Sequence, residues 1–220
     1  MTHEILGIDL SKWRENVDDE DFDKLHANGC RFLGVRVSVG LEADETAIKF
    51  IDMARARGWV TMGYHYLTAV KGDANDENGW EQGKFYGTRA NMLDLDGHFL
   101  DVEDPDTSWA DVIHAVEQMR ANLTFTNGVG LYSRKSFFVP KFGDRPDVFD
   151  SEWWADYRGG KRWLADWETT PEQEQYRPGP LWQFTDELKW KRPSGGQRSV
   201  DGNVFTGTQL DLLRYFGGKR

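Results

Sequence analysis

The sequence predicts an α/β barrel of the modified TIM type, with about five βα units followed by three strands. Three observations carry this. From Glu4 to about Ser133, short apolar runs alternate with stretches of helical period. Beyond Ser133, three further strand-like runs follow with no long helix between them. The chain has 220 residues and no Pro/Gly/Ser-rich linker, which suits one barrel domain spanning 1–220. Repeated βα units imply a parallel sheet, and eight strands can close it.

The elements follow in order. Glu4 to Leu10 reads as a strand with Asp9 near its end. Asp21 to Asn28 reads as a short helix closed by Gly29, and Arg31 to Val39 as an alternating strand. Asp44 to Arg57 is a helix, with Ala47, Phe50, Ile51 and Ala54 on one face and Gly58 at its stop. Trp59 to Leu67 is a strand. Glu77 to Met92 has helical period, although Gly79, Gly83 and Gly87 count against a helix. His98 to Val102 is a buried-type strand running into Glu103. Ser108 to Asn122 is the clearest helix, with Ser108 and Asp111 spaced as a capping box. Gly128 to Ser133 is the fifth strand. Arg162 to Trp167, Pro180 to Thr185 and Arg198 to Phe205 complete the set, and Thr208 to Tyr215 is a final helix.

Composition excludes several classes. A net charge of −10 argues against a nucleic-acid binder, which needs a basic face. A local basic patch remains open at Lys189 to Arg198. No apolar run approaches a membrane span, and the N-terminus does not read as a signal peptide. One cysteine, Cys30, allows neither an internal disulfide nor a Cys-based metal site. Neither a cofactor nor a metal is expected. Ten Trp and seven Tyr suit a core, and they also suit sugar platforms.

The chemistry-bearing residues are acids at strand ends. Cutting a glycosidic bond needs one acid to protonate the leaving oxygen and a negative group to stabilise the positive sugar carbon. Barrel active sites lie at the C-terminal ends of the strands. Asp9, Asp101, Glu103 and Asp201 fit that placement. Asp101 and Glu103, two apart in a strand, leave from the same face, while Val102 points into the sheet–helix layer. Two crowded carboxylates repel, so one holds its proton near neutral pH. Glu103 is the longer and takes the acid role; Asp101 is expected to stay ionised. Alone, this D-x-E pattern also fits a solvated loop start or a cation site with Asp104 and Asp106. The latter lacks the regular ligand spacing and turn glycine of a calcium loop.

Several stretches, in order, resemble the glycoside hydrolase family 25 muramidases, the Chalaropsis-type lysozymes. They are Gly7-Ile8-Asp9-Leu10-Ser11, Gly63-Tyr64-His65-Tyr66, Leu100-Asp101-Val102-Glu103 and Gly130-Leu131-Tyr132-Ser133. Trp163-Leu164-Ala165-Asp166-Trp167, Leu181-Trp182-Gln183-Phe184-Thr185 and Val200-Asp201-Gly202-Asn203-Val204-Phe205 complete the series. The resemblance implies a barrel of five βα units and three strands. It implies a peptidoglycan hydrolase that cuts the β-1,4 bond between N-acetylmuramic acid and N-acetylglucosamine. Carried over by position, Glu103 resembles the general acid and Asp101 the partner that orients the substrate acetamido group. Asp9 and Asp201 resemble the flanking acids. The sequence departs from the family at Lys12-Trp13-Arg14, where a Gln is common, and at Arg36-Val37-Ser38-Val39-Gly40, which lacks the usual acid.

Supporting residues follow from position. Tyr64 and Tyr66 share a face, and His65 faces away as a buried, hydrogen-bonded residue. Tyr132, Trp182 and Gln183 at strand ends are candidates to contact sugar rings or acetamido groups, and Asp166 to face the groove. Arg36 reads equally as a ligand for a wall carboxylate or a buried ion pair. The stretch from Lys135 to Gly160, with Trp153, Trp154 and Tyr157, reads as a groove wall or as a packed surface excursion.

Two rivals remain at this stage. A chitinase-like hydrolase would need D-G-x-D-x-D-x-E, which Asp96 to Glu103 matches except at Phe99. A non-catalytic glycan-binding barrel would not need both Asp101 and Glu103. The expected partner is bacterial peptidoglycan, bound by a monomer without nucleic acid or membrane insertion. The expected setting is a phage lysin, made in the host cytoplasm and acting on the wall after release, or an enzyme shorn of its signal.

Overall fold

Alternation along the strands separates two apolar layers. In β1 (Glu4–Leu10), Leu6, Ile8 and Leu10 join the layer between sheet and helices, while Ile5 packs toward the barrel interior. In β2 (Cys30–Val39), Leu33, Val35 and Val37 go outward and Phe32 inward. The same parity holds in β4 (Val60–Tyr66), β5 (Gly97–Asp101) and β6 (Gly130–Arg134), whose inward residues include Met62, Tyr64, Phe99 and Tyr132. This computed structural model describes residues 4–69, 77–124, 128–143, 148–155, 162–163 and 180–216.

The helices fall between these strands. They are α1 (Asp19–Ala27), α2 (Ala47–Arg55), α3 (Glu77–Ala90), α4 (Trp109–Asn122) and α5 (Lys135–Phe142). A two-residue strand β3 (Glu42–Ala43) folds back on the end of β2. The chain then runs through β7 (Glu152–Ala155), β8 (Arg162–Trp163), β9 (Leu181–Lys191), β10 (Gln197–Thr206) and α6 (Gln209–Tyr215). The ring order is β1-β2-β4-β5-β6-β7-β9-β10, closed by antiparallel pairing of β10 with β1. Its other pairs are parallel except β9 with β10. Five βα units and three further strands therefore form a closed barrel, as the sequence predicts. No helix among the described residues is long and apolar enough to cross a membrane.

The sixth barrel strand is not where the sequence reading puts it. It is β7, inside the stretch read as a groove wall or surface excursion, and α5 also lies in that stretch. Trp153 and Ala155 face the interior, while Trp154 packs outward on Phe138 of α5. Of the expected strand at 162–167, the described residues are the two of β8, which pairs with the distal part of β9. The misplacement has a visible origin. Trp153-Trp154-Ala155-Asp156-Tyr157 repeats the W-x-A-D-aromatic spacing of Trp163-Leu164-Ala165-Asp166-Trp167 ten positions earlier.

Helix ends follow their caps. Asp18 and Asp21 form a capping box that starts α1 earlier than predicted, and Ser108 and Asp111 form the predicted one on α4. Asp44 is not helical; it is buried, accepts the backbone N–H of Lys12 at 2.9 Å and pairs with Arg36. The expected basic patch is spent on α1. Arg192 Nη2 reaches Asp18 at 2.6 Å and Glu20 at 2.8 Å, and Trp190 Nε1 donates to buried Asp21 at 2.9 Å.

The three glycines of α3 carry a helix contact. A Cβ on Gly79 would lie 2.1 Å from the Asp111 carbonyl oxygen, and one on Gly83 2.4 Å from that of Ala115. The i, i+4 spacing thus lets α3 lie backbone-to-backbone on α4. Gly83→Ala gains about 1 kcal/mol of helix propensity, but it must push two backbones apart. We expect net destabilisation of about 1–3 kcal/mol, read as a lower calorimetric melting temperature.

Candidate active site

Asp9 and Asp101 lie at the C-terminal ends of β1 and β5, Glu103 follows just beyond β5, and Asp201 comes from the middle of β10. Asp9 and Asp201 are direct partners across the β1–β10 pair. Asp101 closes β5, between Tyr66 of β4 and Tyr132 of β6. Glu103 stands two residues on, and Val102 between the two acids is fully buried in the outer apolar layer. The charges of Asp9 and Glu103 both act on Asp101, and that of Asp9 on Asp201. Asp101 is only 4% exposed, whereas the Glu103 side chain keeps 19% of its surface open.

A packed floor supports them. Trp153 meets Tyr132, Phe99 and Tyr64 edge-on, with centroids 4.8, 5.4 and 6.3 Å away. Its Nε1 donates to Asn203 Oδ1 at 2.9 Å, and Asn203 Nδ2 donates to Asp9 Oδ2 at 2.7 Å. Tyr64 stacks on Tyr132, whose hydroxyl donates to Gln183 Oε1. Among the described residues, two buried polar atoms here have no hydrogen-bond partner: Asp101 Oδ1 and Gln183 Nε2. Such atoms are costly unless a ligand satisfies them.

Burial dominates the electrostatics. It lifts Asp9 to about 6, against the opposing hydrogen bond from Asn203. It lifts Asp201 to about 9, helped by the negative charge of Asp9. Near neutral pH Asp201 therefore carries a proton and Asp9 is the charged member of that pair. Burial, then the charges of Glu103 and Asp9, push Asp101 well above the carboxylate range. Burial raises Glu103 too, but Arg134 beside it opposes the rise. The direction runs against the expectation that Asp101 is the more readily ionised of the two, because the deeper carboxyl pays more for charge.

Most of the predicted residues assemble. Asp9, Asp101, Glu103 and Asp201 interact, with Tyr64 and Tyr66 beside them: the charges of Asp9 and Asp101 act on Tyr64, and those of Asp101 and Glu103 on Tyr66. Tyr132 and Gln183 line the same interior. Arg36 is a buried ion pair, its Nε donating to Asp44 Oδ2 at 3.1 Å, while its charge still reaches Asp101. Trp182 departs from expectation. At 1% exposure it lies in the outer apolar layer against Phe184, on the opposite face of β9 from Gln183. Asp166 lies outside the described residues. His65 faces outward as read, between Ser38 Oγ at 2.8 Å and Gln82 Oε1 at 3.2 Å, and burial holds it down to about 4. Asp104 accepts the backbone N–H groups of Ala69 and Asp106, and no group of three potential metal-ligating side chains occurs among the described residues. Sequence reasoning named Trp153 only as part of a groove wall or surface excursion, and gave no role to Asn203 and Arg134. Parity could have found the last two, since Asn203 is two from Asp201 and Arg134 two from Tyr132.

Comparison with known proteins places this geometry. The catalytic domain of endolysin ply40, from bacteriophage P40 of Listeria monocytogenes, superposes with TM-score 0.70 at 21% identity, covering 100% of this chain and 98% of that one. A lysozyme from Streptomyces coelicolor gives 0.65 at 19% identity over 100% of both chains. A family GH25 lysozyme from Aspergillus fumigatus gives 0.63 at 17%, over 97% and 99%. Comparison with curated protein sequences yields no match. The sequence pattern of the family described as Glycosyl hydrolases family 25 matches residues 8–192, with Asp9, Asp101 and Glu103 inside the match. The chain therefore belongs to glycosyl hydrolase family 25 and is a peptidoglycan hydrolase of the lysozyme type.

Proposed function

We propose that Glu103 is the general acid for cleavage of the β-1,4 bond between N-acetylmuramic acid and N-acetylglucosamine, with Asp101 orienting the substrate acetamido group. The observation that carries this is the pair of unpartnered buried atoms, Asp101 Oδ1 and Gln183 Nε2, beside a partly open Glu103. An acetamido group offers one N–H and one C=O, which matches one acceptor and one donor. An acetamido N–H at Asp101 Oδ1 favours the charged form of that carboxyl. The crowded pair tolerates one negative charge better than two, so the proton then resides on Glu103. Glu103 delivers it to the leaving oxygen as the sugar carbon becomes positive. Water adds at that carbon and its proton returns to the Glu103 carboxylate, which restores the acid. Asp9, charged and aimed by Asn203, adds negative potential, and Asp201 shares its proton with it. Tyr64, Tyr66 and Tyr132 supply ring surface and hydroxyls at the mouth.

The whole chain, 1–220, acts in this reading as one catalytic domain. A phage-lysin setting is supported by the likeness to the phage endolysin domain over nearly the full length of both chains.

Two outcomes follow. Glu103→Gln should lower wall lysis by ~10²–10⁴ while retaining binding to insoluble peptidoglycan, scored by turbidity and by pull-down. Mass spectrometry of the wild-type digest should find muramic acid at the new reducing ends. Asp201→Asn bears on stability instead. A carboxyl raised from 3.8 to about 9 by folding stabilises the fold below pH 4 and loses that contribution as pH rises toward 9. Asn keeps an N–H donor toward Asp9 without the charge. Its melting temperature relative to wild type should therefore climb between pH 4 and pH 9, by about 4 °C or more.

A further inference from the structure

The sequence reading gives Arg134 no role, yet it touches the acid. Its Nε donates to Glu103 Oε1 at 3.0 Å, with the arginine side chain 46% and the glutamate 19% exposed. The contact is built into the strands. Asp101 and Tyr132 are register partners, Val102 N–H donates to the Tyr132 carbonyl at 3.0 Å, and Ser133 Oγ donates to the Val102 carbonyl at 2.6 Å. The two chain ends are thus stitched together, and the residues two steps beyond the register pair, Glu103 and Arg134, face each other.

We propose that Arg134 is a positioning residue for proton delivery: by fixing Oε1 of Glu103 it makes Oε2 the oxygen that carries the proton to the leaving group. A guanidinium only donates, so the oxygen in front of it must accept through a lone pair. The carbonyl oxygen of a carboxyl is the better acceptor of the two, so the contact favours the proton on the other oxygen. A freely rotating carboxyl would present either oxygen; the Arg134 contact removes that freedom before substrate arrives. The same guanidinium offsets burial, keeping Glu103 acidic enough to give its proton up. The other titratable and charged groups near Glu103 are Asp101 and Asp104 on its own segment, Asp9 from β1 and the Tyr66 hydroxyl from β4: the charge of Glu103 acts on Asp101, Asp9 and Tyr66, that of Asp104 on Tyr66, and that of Arg36 on Asp101. Arg134 is the cation among them that contacts Glu103.

This inference rests on the assignment of Glu103 as the acid, and the test separates the two. The kcat/KM of wild type, Arg134→Gln, Arg134→Lys and Glu103→Gln would be followed from pH 4 to pH 10 on soluble peptidoglycan fragments, with thermal melts to confirm folding. Arg134→Gln should lower kcat about tenfold or more. It should also move the alkaline limb upward by about one pH unit, because a protonated acid that loses its neighbouring cation ionises later. Arg134→Lys, which keeps the charge, should return the limb close to its wild-type position. A folded Arg134→Gln whose alkaline limb does not move overturns the proposal, even if its rate falls. Full activity in Glu103→Gln would instead overturn the assignment of the acid itself.

Discussion

The indole of Trp153 ties the packing of this barrel to its charge. Its ring fills the space where a side chain on residue 34 would sit: a Cβ on Gly34 would come within 2.3 Å of its Cη2. Its N–H fixes Asn203, and Asn203 fixes Asp9. A barrel interior must be filled to be stable, and a buried carboxylate must be hydrogen-bonded. One side chain meets both requirements here. Because the ring is wedged among Phe99, Tyr132 and Tyr64, the amide it holds cannot flip without disturbing the aromatic floor.

The antiparallel last strand has a similar consequence. A fully parallel barrel would bring the C-terminal end of its eighth strand to the mouth. Here β10 runs the other way, so Asp201 and Asn203 enter from the middle of a long strand. The excess length of β9 and β10 is not idle. It leans on α1, where Asp21, fully buried, accepts from Trp190 and lies 3.2 Å from Arg192. A buried carboxylate in this position needs its cation, since removing one partner of such a pair typically costs about 3–5 kcal/mol. That requirement explains why basic residues gather at Lys189 to Arg198 in an acidic chain.

Much of this was legible in the sequence. The alternation of apolar residues located the first five strands, because burial on two faces leaves a period of two that local chemistry cannot disguise. The acids at 9, 101, 103 and 201 were legible because two-residue spacing carries facing information. Three things were not. The sixth strand was hidden by its own echo, since identical spacing at 153–157 and 163–167 gives pattern reading no way to choose. Trp182 was misread because a strand-end aromatic was weighed by type and not by parity with Gln183. The α3 glycines were read as weakness in a helix. Their use is tertiary, a close approach to α4 that no local rule contains. The upward push on Asp101 was not legible for a related reason: spacing shows that two acids are crowded, but only depth decides which is the harder to charge.

Depth also accounts for the sharing of charge. Four acids in one desolvated mouth cannot all ionise, and the fold provides for fewer negative charges than carboxyls. Asp201 is kept neutral beside Asp9, depth makes Asp101 costly to charge, and the arginines are graded by reach. Arg36 is committed to Asp44 and acts on Asp101 from behind, and Arg14 acts on Asp9 and Asp201 from the turn after β1. Arg134 contacts Glu103 directly. Distant cations lower the cost of the whole cluster without choosing among its members. A contacting cation chooses, because hydrogen bonding distinguishes one oxygen of one carboxyl. Selectivity for a single proton position therefore belongs to the shortest contact, and the longer ones supply the background that lets the site hold its acids at all.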